Sequence, residues 1–248
     1  MKLYVGLAFI FVAPIFGYTQ TVDEGRKLFY YERYDSALHS LQSTLKQDPE
    51  NSEAWYWLSQ AYFELEQPYA LKDTLSHVPQ KIVNEPVFDV IKGKLLLADG
   101  KADSARYYFD NALKETKQKN VFILSAVARA HINEKSGDGN YAVELLNKAI
   151  KRDKKNPALY TLAGDAFRKL GNGTEAFKMY QQAIASNPQY AAAAYKLGKI
   201  FVSQKNNVYL RYFNQAVAAD SMYAPVFYDL YYPIWRSEER RVGKECRS

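Results

Sequence analysis

Residues 157–188 read PALYTLAGDAFRKLGNGTEAFKMYQQAIASNP, and the reading of the whole chain follows from this stretch. Apolar side chains return every three or four positions on both sides of Gly171-Asn172-Gly173, the pattern of two amphipathic helices joined by a tight turn. Gly164 on the first helix and Ala176 on the second are small where such helices would cross, and Ala183 leaves room for a following hairpin. Tyr160, Phe167 and Tyr180 would fill the space between them. Pro188 cannot continue a helix and marks the end of the unit.

The same frame recurs along the chain with varying fidelity. Near the start, Gly25, Leu28, Ala37, Leu41 and Pro49 take equivalent places, with YYERYDSA as the turn. A second unit opens with Trp55, Leu58 and Tyr62, then runs short through EQPYALKDTLSHVPQ, which carries Pro68 and Pro79. The third has Gly93, Leu96, Gly100, Ala105, Phe109 and Ala112 but no closing proline. The fourth has Leu124, Val127 and Ala128, an apparent insertion at EKSGDGN, then Ala142, Leu146 and Ala149. After the unit at 157–188, a sixth has Leu197, Gly198 and Phe201 and resumes early with Tyr209, Phe213 and Ala216; APVFYDLYYPIW opens a seventh with Phe227 and Leu230. These residues and spacings resemble the tetratricopeptide repeat, and in overall style the chain resembles exported proteins of that family from Bacteroidota. The resemblance implies an all-α fold, a right-handed superhelical solenoid of about six hairpins plus a truncated seventh, over residues 20–235.

The ends of the chain read differently. MKLYVGLAFIFVAPIFGYTQ has one lysine and then an apolar run interrupted by Pro14, the layout of a secretory signal over residues 1–19. No cysteine follows that run, so a lipid-modified N-terminus is not expected, and the predicted destination is the periplasm or the medium. RSEERRVGKECRS, residues 236–248, resembles the in-frame translation of a short-read sequencing adapter and is expected not to be native; the natural chain would then continue beyond Trp235. These two segments supply three of the six net positive charges, so the formal charge of +6 gives no case for nucleic acid as a partner. The sole cysteine, Cys246, lies in the tail, which leaves the rest compatible with export without a disulfide framework.

No constellation of residues carries chemistry. His39, His77 and His131 lack ligand spacing, and neither a metal nor any other cofactor is implied. SGDGN at 136–140 lacks the later glutamate of a calcium loop and reads as a turn, as does GNG at 171–173. The chain is therefore expected not to be an enzyme.

In the family it resembles, the first helix of each unit lines a concave face. The inward positions would then include Arg26, Gln60, Lys94, Arg129, Asp165 and Lys199 as one row, with Phe29, Tyr56, Phe63, Leu97, Arg168 and Tyr195 around them. A row of cations among aromatics suits an acidic protein or peptide segment, and the expected groove is Arg26, Tyr56, Gln60, Phe63, Lys94, Arg129, Arg168, Tyr195 and Lys199. The implied role is an exported scaffold for protein–protein interaction, with no metal and no stable membrane insertion beyond the signal. One alternative is the sensory or adaptor arm of a larger signalling, peptidoglycan-binding or catalytic protein. A weaker one is glycan capture in nutrient uptake, suggested by the 21 tyrosines.

Overall fold

The computed structural model describes residues 21–230, and every regular element among them is a helix. The predicted signal at 1–19, Trp235 and the tail at 236–248 lie outside the described residues.

Six antiparallel pairs follow one another. The first is α1 (Val22–Tyr30) with α2 (Tyr34–Gln47), the second α3 (Ser52–Glu64) with the short α4 (Pro68–Leu75). A one-turn helix, α5 (Gln80–Val83), precedes α6 (Pro86–Ala98) with α7 (Ala102–Glu115). Then come α8 (Val121–Asn133) with α9 (Gly139–Arg152), α10 (Pro157–Lys169) with α11 (Gly173–Ser186), and α12 (Ala191–Ser203) with α13 (Tyr209–Ala219). Residues 224–230 begin another helix.

Local chemistry sets the boundaries. The side chains of Asn51, Asn120, Asp138, Asn156 and Asn172 accept backbone N–H bonds at the starts of α3, α8, α9, α10 and α11, satisfying donors that a helix N-terminus leaves open. Proline begins α4, α6 and α10, where its missing N–H costs nothing. Both turn sequences singled out above are turns. Gly171 takes φ +73° ahead of the Asn172 cap, and in SGDGN the Asp138 carboxylate accepts from the Asn140 and Tyr141 N–H groups. The short second unit is also explained: α4 stops at Leu75, and Pro79 starts the separate turn of α5.

Within the best-formed hairpin the crossing is tighter than the small-residue pattern alone implies. A Cβ on Gly164 would stand 2.3 Å from a ring carbon of Tyr180, so the slot opened by the glycine is filled by an aromatic ring from the opposite helix rather than simply faced by Ala176. Gly93 receives Phe109 in the same way, at 2.5 Å. Both rings are fully buried.

First helices also meet one another in succession, α1 on α3, α3 on α6, α6 on α8, α8 on α10 and α10 on α12. They form a common inner wall, with the second helices outside it. The wall then closes. Tyr30 and Tyr31, at the end of α1, pack into the apolar cluster of Phe213, Tyr223 and Val226 at the far end of the solenoid. Tyr30 lies 5.4 Å from the Tyr190 ring and 5.0 Å from the Tyr223 ring. Its hydroxyl accepts the Ala192 N–H at 3.2 Å, completing the start of α12, whose own N-cap residue Tyr190 makes no side-chain bond there. The Tyr31 hydroxyl donates to Asp220 at 3.0 Å.

Candidate functional site

The closed wall surrounds a cavity of about 1520 Å³. Its lining includes nine aromatic residues, Trp57, Tyr56, Phe63, Phe122 and Tyr190 among them. Rings clustered near the surface bring large contact area with little rotamer freedom to lose. Trp57 stacks obliquely on Phe29, and Phe122 meets Tyr56 edge-on at 4.9 Å.

Charges on the wall are mostly matched. The Arg26 guanidinium bridges Asp23 and Glu53 at 2.6 and 3.3 Å. Lys196 bonds both oxygens of Asp165, which also accepts the Tyr180 hydroxyl at 2.7 Å. Lys94 is 1% exposed; its ammonium donates to Gln60 at 2.7 Å, sits 4.0 Å from the centre of the Phe63 ring and 4.0 Å from Glu134. Burial pulls its pKa down to about 8, although Glu134 and Glu64 oppose the shift. The carboxyls of Glu32 and Glu134 are raised, again by burial first. Arg129 reaches no carboxylate within ion-pair distance among the described residues, and its guanidinium lies 5.7 Å from the Trp57 ring.

The expected groove residues divide accordingly. Arg26, Tyr56, Phe63, Lys94 and Arg129 line the cavity together. Gln60 is buried behind the wall as the partner of Lys94. Tyr195 and Lys199 turn instead to Asp229 in the opening helix of the seventh unit, at 2.8 and 2.7 Å. Arg168 lies beside the Tyr180 hydroxyl rather than in the lining. Seven carboxylates line the cavity against five cations, so the wall has no cationic surplus for an acidic guest.

Several lining residues fall outside the periodic inward positions: Tyr30, Tyr31, Glu32, Trp57, Glu64 and Tyr190. The run KLFYYERYD at 27–35, dense in aromatics, was the signal available for the first three. Among the described residues no cluster of His, Cys, Asp or Glu could hold a metal ion, and no helix is long and apolar enough to cross a membrane.

Comparison with known proteins gives the same architecture. A family model described as TPR repeat matches residues 164–205, and one described as Tetratricopeptide repeat matches residues 22–68. The chain is similar to a TPR repeat-containing protein of Methanocaldococcus jannaschii, 21% identical over 199 residues that cover 77% of this chain and 33% of that protein. It thus spans about a third of the length of this curated relative. Among solved structures it is similar to a human IFIT1 dimer with PPP-AAAA, at a TM-score of 0.57 and 17% identity over 90% of this chain and 54% of that one. It is also similar to MamA, at a TM-score of 0.43 and 16% identity over 81% and 96%. At these identities the likeness to IFIT1 is one of fold. Tetratricopeptide repeats are present in residues 22–68 and 164–205, and the described residues form an all-helical solenoid.

Proposed function

We propose that the chain is an exported, non-catalytic scaffold that holds a segment of a protein partner inside its ring, as part of an envelope complex. The observation that carries this reading is an aromatic-rich cavity bounded by each of the six first helices in turn. At about 1520 Å³ it exceeds the roughly 300–1,000 Å³ of ordinary small-molecule sites and suits a stretch of polypeptide. Its carboxylates outnumber its cations, and Arg26, Lys94 and Lys196 already have carboxylate partners, which favours an uncharged or basic segment over the acidic one that the row of Arg26, Lys94, Arg129 and Lys199 suggests in isolation.

Site-specific photocrosslinking in the native host tests it. A photoreactive residue at Phe122, in the cavity, should couple to one defined segment of a partner, and Trp57→Ala should abolish that product. One at Tyr107, on an outer helix and 64% exposed, should not couple. Coupling from Tyr107 alone would contradict the reading. Export predicts a mature protein whose mass lacks residues 1–19.

The share of the curated relative covered, 33%, favours a second reading as an arm of a larger protein. The mass of the protein made in its native host separates the two.

A further inference from the structure

The third hairpin ends unlike its neighbours. α2, α9, α11 and α13 stop at an aspartate or asparagine with φ between −131° and −152°. α7 instead unwinds through Thr116 into Lys117 and Gln118, both left-handed at φ 50° and 51°. Neither is glycine, and each such residue costs about 1 kcal/mol or more.

The detour builds a recess. Gln118 accepts from the Lys148 ammonium at 2.9 Å, linking the end of α7 to α9. Between the two helix ends lies a cavity of about 920 Å³ lined by Lys114, Lys117, Lys148, Lys151 and Arg152, with Asp110 as its one lining carboxylate among the described residues. Asp110 is itself taken up by Arg106 at 3.7 Å and the Tyr141 hydroxyl at 3.4 Å. Helix ends alone do not call for so many cations: α2 has one base in its last turn and α11 and α13 have none.

We propose that this recess binds a compact anion bearing two adjacent phosphate groups, free or as a diphosphate ester. Lys148 is taken up by Glu144 at 2.6 Å and Asp110 by Arg106, which leaves four positive charges on Lys114, Lys117, Lys151 and Arg152, and two phosphate groups supply about three to four negative ones at neutral pH. Lysines meet phosphate oxygens as point charges and Arg152 adds a planar fork. Cations of one sign gathered in a shallow recess raise the local concentration of a small anion.

Calorimetry of the whole chain with inorganic pyrophosphate and with ADP tests this. Saturable binding at one site is expected, weakened about tenfold or more by Lys117→Glu/Lys151→Glu. Lys46→Glu/Arg211→Glu, with the same change in net charge at exposed sites elsewhere, should leave it within about twofold. Equal affinity for both probes assigns recognition to the phosphates alone; tighter ADP binding assigns it to the ester. Lys117→Gly/Lys151→Gln, which retains the left-handed turn, serves if the reversal variant does not fold. No saturable binding of either probe, or equal weakening by both charge-reversal pairs, would overturn the proposal.

Discussion

The hairpin of α10 and α11 and the clasp formed by Tyr30 and Tyr31 both depend on half- or fully buried tyrosines, but they hold the chain together over very different distances. Tyr180 fills a slot left by Gly164, sixteen residues earlier, and the contact repeats down the chain as Phe109 on Gly93 and Phe213 on Gly198. Tyr30 bonds Ala192 and Tyr31 bonds Asp220, across 162 and 189 residues, and nothing in the other repeats corresponds to either contact. The first kind of contact makes a solenoid, in which each unit needs only its neighbour. The second brings the two ends of the solenoid together, and with them an open inner face becomes a partly enclosed cavity.

Breaking the first kind should cost most. Tyr180→Ala removes a fully buried ring and leaves its slot empty, and a loss of about 3–5 kcal/mol in denaturant unfolding is expected. A loss under about 1 kcal/mol would show that the hairpin does not rest on that ring.

Between the two regions stands the fourth unit, where the repeat is interrupted. His131 is 8% exposed, its Nδ1 accepts the Asp138 N–H at 3.0 Å, and its ring lies between Phe109 and Tyr141. Burial holds its pKa down at about 4. The unfolded chain therefore binds more protons between pH 4 and 6.5, and stability falls as pH drops through that window. The wild type should lose about 3 kcal/mol more than His131→Gln there, measured by urea midpoints at several pH values. Parallel pH profiles would mean that the imidazole does not anchor the loop.

The clasp should be the cheapest to disturb. Tyr30→Phe keeps the ring contacts and removes the hydroxyl that caps α12, for about 1 kcal/mol. Tyr30→Ala should enlarge the radius of gyration in solution scattering while leaving helical content unchanged. Unfolding of that variant would show that the clasp belongs to the core.

What could be read from the sequence follows the same division. Six hairpins, their turns and the shortened second unit were legible because glycine, alanine, proline and capping residues act within one repeat, over a few turns of helix. The side-chain environment of the inner wall was only partly so. Position within a repeat says that Lys94 points inward, but not that Gln60, Phe63 and Glu134 bury it once successive helices stack. The partners of Lys199 and Tyr195 depend on a unit beyond the sixth. The clasp was least legible, since pairing Tyr30 with α12 depends on the summed small rotations of all the intervening units. The aromatic run at 27–35 marks the place without naming its partner.

Electron-spin distance measurement between labels at Lys27→Cys in α1 and Met222→Cys beside Asp220, with Cys246→Ser, tests the closed ring. A single narrow short-distance population, lost in Tyr30→Ala, is the predicted result. A broad, long-distance distribution already present in the otherwise wild-type chain would contradict the closed ring and the function proposed for its cavity.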